Sequence, residues 1–311
     1  MTWSAGGLVQ AADFNTLTGG PSSTTANTLN AVWSTGTGQA GYGQTAVANV
    51  SAGDVVAATP WNQLFYYTGN MASHQGTSIT SISNVSSSNL VTFYSAAQTN
   101  LNSVYAARGN AVSQGSTSAN AVTTASTWTA SATFTHTITF ANNDAARYFF
   151  NAGGQIKMTA AHSNSTAGIN AALNSLCTAT GTIVLSAPTS GSWTIAGTAY
   201  NGVTKVGGSA TSGNGVATNT GYFAFTTANA ELFDQNTGTA PYTALMDLRY
   251  IGKANASPGG TVTIYTFIQE TGANGTVGTG TTITCTLVPP STTYLANTWG
   301  SISLAGSVTV S

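Results

Sequence analysis

The sequence predicts a mainly β fold class: an antiparallel β-sandwich with two short helical inserts, preceded by an N-terminal region of small repeated helix-turn units. From about residue 127, apolar and polar residues alternate in short runs separated by glycine, proline and asparagine, which is the pattern of half-buried antiparallel strands. The first 125 residues lack this alternation and contain an internal repeat. We therefore divide the chain into an N-terminal docking region, 1–125, and a β-sandwich domain, 126–311.

The predicted strands begin with the clearest alternating run, from Trp128 to Phe140. Similar runs follow at 155–161, 181–187, 192–196, 221–226, 244–251, 261–269, 281–288 and 301–310. So many short strands favour a sandwich or barrel over parallel βαβ units. The two helical inserts are predicted at 143–154, with an Asn/Asp start and a Gly-Gly end, and at 171–177.

The N-terminal repeat aligns residues 4–17 with residues 51–64 without gaps, and seven of the fourteen positions are identical. Each unit is predicted to be a short extended piece that turns into a helix. In the second unit Thr59 is the expected N-cap, Pro60 the first helical residue and Gly69 the stop. A third, degenerate copy begins near residue 86 and leads into an apolar stripe between Tyr94 and Gly109. Helices this short need a surface to pack against.

The charged fraction is 4%, against about 25% in an average soluble protein, and six basic and seven acidic residues leave a net charge of -1. Six scattered cations cannot form a phosphate-binding face, so we expect no nucleic-acid partner. The many aromatic residues exclude a disordered chain. A nearly uncharged surface repels its neighbours little, which favours a homo-oligomer. We expect no signal peptide and no membrane span, because no run approaches about 20 apolar residues.

Few residues carry the patterns of a chemical site. The three histidines, His74, His136 and His162, are far apart, so we expect no metal, and we read His136 as a solvated or hydrogen-bonded strand residue. Cys177 and Cys285 match no zinc or redox spacing, and the alternation places Cys285 on the apolar face of a strand. Two buried, reduced thiols are expected, with a disulfide and a catalytic cysteine as the alternatives. No cofactor is expected.

The acidic residues offer one local carboxylate pair, Glu231 and Asp234, on what the sequence predicts to be a short turn. Paired carboxylates perform glycoside hydrolysis, but no aromatic cluster of a sugar-binding cleft accompanies them. The other charges form two neighbouring pairs, Asp144 with Arg147 on a helix and Asp247 with Arg249 on one face of a strand. The first pair is interpreted as a weak surface ion pair. We therefore propose no catalytic residue and expect that the protein is not an enzyme.

One segment of the sequence, residues 142–163, resembles a segment of a known class of proteins. Residues 142–163, NNDAARYFFNAGGQIKMTAAHS, are similar to a helix–turn–strand segment that opens a sandwich domain in structural proteins of tailed bacteriophages. Residues 181–184 and 294–302, and the N-terminal pattern of an apolar pair followed by Ala and aromatic-Asn-x-Leu, also resemble these proteins. The chain departs from them at 164–177, where small residues replace a tryptophan-bearing helix.

The resemblance implies a virion protein, such as a tail, neck or collar fibre or appendage, that contacts other virion proteins and is assembled in the host cytoplasm. For a fibre, a trimer is the favoured closed form of the homo-oligomer. The alternatives are a receptor-binding tip that grips host surface glycans, a polysaccharide depolymerase, and a non-viral surface-layer or adhesin protein.

Overall fold

The computed structural model describes residues 11–20, 27–51, 54, 56–86, 93–164, 168–209, 212–217, 219–236, 246–270 and 275–311. The fold is mainly β, with antiparallel sheets and, within these residues, six α-helices. The helices are α1 (Ala11–Thr18), α2 (Leu29–Trp33), α3 (Ala58–Gln75), α4 (Tyr94–Ala106), α5 (Asn143–Asn151) and α6 (Gly168–Thr180). None of the described helices is both long enough and apolar enough to cross a membrane.

The strands form a six-stranded sheet, a five-stranded sheet and a two-stranded hairpin. Their bounds are β1 (Ser118–Thr123), β2 (Ser131–Thr139), β3 (Gln155–His162), β4 (Thr182–Leu185), β5 (Trp193–Ile195), β6 (Thr198–Tyr200), β7 (Val203–Val206), β8 (Ser212–Val216), β9 (Ala230–Asn236), β10 (Met246–Ala254), β11 (Thr261–Glu270), β12 (Thr281–Val288) and β13 (Ser303–Val310). The large sheet has the order β13-β2-β11-β10-β9-β8, the smaller has β1-β12-β3-β4-β7, and β5 pairs with β6.

The runs with the clearest alternation form strands as predicted. One prediction is wrong, because 221–226 contains a 3-10 helix at Tyr222–Ala224. The ring of Tyr222 stacks on Phe150 with centroids 4.2 Å apart, and its hydroxyl donates to the Gly259 carbonyl at 3.0 Å. These long-range contacts outweigh the local preference for strand. The sequence pattern also missed β1, β6, β7, β8 and β9, in which the apolar residues do not alternate regularly.

Helix α5 confirms the first predicted helical insert, at 143–154. Its N-cap, Asn142, accepts a hydrogen bond from the Ala145 amide at 2.8 Å. Phe149 and Phe150 are fully buried in the core. The turn into β3 is tight, because a Cβ at Gly154 would lie 2.5 Å from the Phe149 ring. The second insert is confirmed as α6, which is longer than predicted.

Helix α3 corrects three details of the sequence prediction. Its N-cap is Ala57, so Thr59 and Pro60 lie inside the first turn rather than at the cap and the first position. It continues through Gly69 and ends at Gly76, whose φ of 71° is left-handed. The last turn contains four buried residues, Met71, Ala72, His74 and Gln75. Burial of that turn stabilises the helix beyond the glycine.

The two aligned repeats share several features where they are described. Helices α1 and α3 begin at equivalent positions of the alignment, Ala11 and Ala58. Asn15 exchanges two hydrogen bonds with the backbone of Val50, both 2.9 Å, and the equivalent Asn62 exchanges two with Val85, at 3.1 and 2.8 Å. The leading residues 4–10, 52, 53 and 55, and 87–92 of the third copy, lie outside the described residues, so the repeated helix-turn unit stays a prediction.

The main apolar cluster includes all six described helices and both large sheets, and a second, small cluster consists of Ala111, Val184, Ile195 and Tyr200. Residues on both sides of position 125 contribute to the main cluster, for example Leu64 and Leu101 with Phe149 and Leu248. The two sheets also touch at their ends: β1 contacts β13 at one side and β7 contacts β8 at the other. The division into 1–125 and 126–311 stays a prediction.

Candidate interaction surface

Strand β13 forms one edge of the six-stranded sheet. It pairs with β2 over its whole length, and no other strand of the described chain pairs with it. Ser311 and Ser131 exchange backbone hydrogen bonds. Since partners alternate along an antiparallel ladder, the odd-numbered residues of β13 bond to β2. The backbone N–H and C=O groups of Leu304, Gly306, Val308 and Val310 therefore point to the open flank.

The open flank of β13 has no feature that would discourage pairing. Its eight residues, SLAGSVTV, include no charge and no proline, and its register with β2 is unbroken. Leu304, Val308 and Val310 are half-buried, and the other five residues are exposed. Below it lies β1, the edge of the other sheet, where a Cβ at Gly306 would meet Val122 at 2.4 Å. β1 is also uncharged and pairs only with β12 among the described strands. We call β13 and β1 together the open side.

The opposite edges, β7 and β8, are protected. β7 has four residues and carries Lys205. β8 contains two glycines, Gly213 and Gly215, and its pairing with β9 shifts register. Short strands, lysine and irregular pairing are the usual means by which proteins prevent edge-to-edge association. Among the described strands, the open side is therefore the pair of edges that lacks these protective features.

A polar cluster lies on the half-buried face of β9, β10 and β11. The Arg249 Nε atom is 2.7 Å from Asp247 Oδ2, and the guanidinium also donates to Gln269. Asp234 lies opposite Arg249 in the strand pairing. The pKa of Asp247 is raised to about 7, chiefly by burial and in addition by the neighbouring Asp234, although Arg249 acts to lower it. Two carboxyl groups therefore share this cluster.

The prediction that Glu231 and Asp234 form a local carboxylate pair on a short turn is wrong. Both residues lie on strand β9 rather than on a turn. Asp234 interacts with Asp247 of the next strand, whereas Glu231 lies opposite Ile251, beyond a register shift. The predicted pairing of Asp247 with Arg249 on one strand face is confirmed. The sequence could not show the cross-strand neighbour, because pairing register is not encoded locally.

The raised pKa of Asp247 predicts a pH effect on stability. Because the folded pKa lies above the unfolded value of 3.8, folding favours the protonated carboxyl group. Its contribution is fully present below about pH 4 and is lost as the pH rises through about 7. We expect Asp247→Asn to raise the free energy of unfolding at pH 8, relative to its effect at pH 4, by on the order of 2 kcal/mol, because the variant has no carboxyl group to ionise. Urea unfolding of both proteins at the two pH values measures this, and parallel pH curves would contradict it.

Arg147 and Asn151 attach α5 to a loop of the N-terminal region. Arg147 donates to the carbonyls of Ala40 and Thr35, both at 2.7 Å, and to Asp144 at 2.9 Å. Asn151 donates to the Ala40 carbonyl at 3.0 Å and to the neighbouring Gly38 and Gly41 carbonyls. The prediction of a weak surface ion pair is therefore wrong for Arg147, which is buried, although Asp144 is 64% exposed. These polar residues of the segment 142–163 hold two distant parts of the chain together.

His136, His162 and both cysteines are buried inside the fold. His162 contacts Thr281 and Asn170, both at 3.0 Å, and His136 is fully buried on the inward face of β2, so the expectation of solvent contact is wrong. Within the described residues, no three His, Cys, Asp or Glu side chains are grouped to hold a metal ion. Cys177 and Cys285 are free and buried, as predicted, and burial raises the pKa of each thiol to about 12.

The burial of His74 predicts that the protein loses folding stability at acid pH. Its Nε2 atom lies 3.1 Å from the Ala152 carbonyl, and burial lowers its pKa to about 4. A lowered folded pKa means that stability is present above about pH 6.5 and is lost as the pH falls towards 4. We expect the loss to be about 3 kcal/mol and to be absent in His74→Gln, which keeps a donor for the carbonyl. Melting curves from pH 7 to pH 4 measure it. An equal decline in both proteins would contradict the assignment to His74.

Two adjoining hollows lie along α3. The first, of about 460 Å³, lies between α3, α4 and the segment after Gly76; the second, of about 480 Å³, is lined by Thr59, Asn62, Gln63, Phe65, Tyr66, Ile82 and Asn84. The Tyr66 side chain borders the second hollow and is 64% exposed. An exposed tyrosine beside amide side chains is a chemically suitable surface for a sugar.

Comparison with known proteins gave no match: no family model, no curated protein and no solved structure corresponds to this chain.

Proposed function

We propose that this protein is a structural subunit of a bacteriophage virion, a tail, neck or collar fibre or appendage, that acts through protein–protein contacts and not by catalysis. We also propose that the two large sheets form a β-sandwich, since they share one core and touch at both ends. The observation that carries the functional proposal is the open side. An uncharged edge strand of eight residues, without the protection present at the opposite edge, favours association with another chain.

Composition supports the same function. With only six basic and seven acidic residues, the surface offers little electrostatic repulsion against permanent contact. Residues 142–163, which resemble a segment of phage structural proteins, support it as well, because several of them have structural roles. Phe149 and Phe150 fill the core, and Arg147 and Asn151 bind the loop around Ala40.

Purified phage particles test this proposal. Quantitative mass spectrometry should detect the chain in a fixed ratio to the other virion proteins, and high-salt washing should not remove it, because few ion pairs are available to be screened. Recovery of the chain only in the soluble fraction of the lysate would contradict the proposal.

A second candidate function, recognition of a host glycan, is favoured by Tyr66 and its polar neighbours. We expect Tyr66→Ala to abolish binding on a glycan array if the chain is a receptor-binding tip. Tyr294→Ala is the matched control, because Tyr294 is also exposed, at 38%, but is not among the residues that line this hollow. Absence of binding by the unmodified protein, or equal loss in both variants, would count against this candidate.

A further inference from the structure

We infer that a second copy of this chain binds along β13, with the two β13 strands antiparallel and related by a two-fold axis at Ser307. This inference rests on the proposed function, in that it assumes contact between chains, and it adds the partner, the strand and the register. It puts a two-fold dimer in place of the trimer expected from the sequence, because a contact about a two-fold axis joins two copies. The occupant is a second copy because the edge fits itself in charge, backbone groups and side-chain size.

The first argument is charge. A strand can pair with its own copy only if no like charges come to lie opposite each other. None of the eight residues of β13 is charged, and neither is any residue of β1 beneath it. The other pair of edges, at β7 and β8, carries Lys205, so each copy would add a positive charge to such a contact.

The second argument is the register. In the described part of the chain, four residues of β13 turn their backbone N–H and C=O groups away from β2: Leu304, Gly306, Val308 and Val310. These four positions are centred on Ser307. A two-fold axis at Ser307 places Leu304 opposite Val310 of the second copy and Gly306 opposite Val308 of the second copy. Every free pair of N–H and C=O groups then has a partner, and a shift by two residues would leave one position at each end without one.

The third argument is the side chains. In this register the half-buried apolar residues of one copy lie beside those of the other on the inward face. On the outward face the opposed residues are small: Ala305 with Thr309, and Ser307 with itself. Burial of the half-exposed Leu304 and Val310 stabilises the contact.

Ser307→Cys tests the register. In the proposed contact residue 307 forms a non-hydrogen-bonded pair with its copy, and such pairs have Cα atoms about 4.5 Å apart, which a disulfide can bridge. We expect a disulfide-linked dimer under mild oxidation. Ser303→Cys is the matched control: it is exposed on the same face of the same strand but lies opposite Ser311, so it should remain monomeric on a non-reducing gel. The native cysteines are buried and do not interfere.

A charge exchange tests the contact without a covalent bond. Ser307→Lys and Ser307→Glu each place like charges opposite one another, and each should raise the dimer dissociation constant about fivefold, because a cross-strand pair contributes about 1 kcal/mol. A mixture of the two variants should recover dimerisation. Sedimentation velocity of the full chain measures all three samples.

The outcomes separate the two proposals. If the chain is found in particles but Ser307→Cys and Ser303→Cys cross-link equally, or neither cross-links, the two-fold contact is wrong and the virion function stands. If Ser307→Cys cross-links selectively but the chain is absent from particles, the contact is correct and the virion function is wrong. Failure of the charge mixture to recover the dimer would also overturn the register.

Discussion

Replacement of Arg147 by alanine is expected to lower the free energy of unfolding by about 3 kcal/mol or more, since hydrogen bonds to a charged group contribute about 1.5–3 kcal/mol each. The variant leaves the carbonyls of Ala40 and Thr35 without this donor. Unfolding in urea, followed by circular dichroism, measures the change.

The control for Arg147 is Asp144→Asn, which weakens the ion pair and keeps the bonds to the carbonyls. Because Asp144 is 64% exposed, this change should cost less than about 1 kcal/mol. Similar losses in the two variants would mean that the ion pair, and not the attachment of the loop, accounts for the role of Arg147.

Replacement of Gly41 by alanine is expected to cost about 3 kcal/mol. Gly41 has a φ of 96°, and a Cβ there would lie 2.1 Å from the Thr35 carbonyl oxygen, so the backbone must move. Gly38 in the same loop also has a positive φ, 54°, but a Cβ there would meet nothing within 4 Å. Gly38→Ala should therefore show the conformational cost alone, about 1 kcal/mol.

Thermal unfolding of the two glycine variants separates steric contact from backbone strain. The melting temperature of Gly41→Ala should fall clearly below that of Gly38→Ala. Equal melting temperatures would show that the loop can shift freely, and that its attachment to α5 is weaker than the hydrogen bonds of Arg147 and Asn151 indicate.

The sequence predicted the elements whose signals are local. Period-two alternation located β2, β11 and β12, because one face of each strand is buried. The Asn/Asp start and Gly-Gly end located α5. The alternation also indicated the burial of His136. This residue lies on the same face of β2 as Phe134 and Ile138, and it is buried with them. The interpretation of that residue as solvated gave too much weight to its polarity.

The remaining features depend on contacts between distant residues. Asp247 and Asp234 become neighbours through the pairing of β10 with β9, and no local pattern specifies that register. The strand predicted around Tyr222 is replaced by a turn that packs on Phe150. The open side is also not visible in the sequence, because an edge is defined by the strands that are absent beside it. The only sequence feature that agrees with an open edge is the absence of charged residues in 301–310.

Electron microscopy of purified phage particles, with a gold-labelled antibody against this chain, tests the central claim most directly. The label should lie at a fixed, repeated position on a tail, neck or collar structure, in at least two copies per particle. Label at background level on particles, with the chain present as a 31.3 kDa monomer in the surrounding lysate, would contradict the claim.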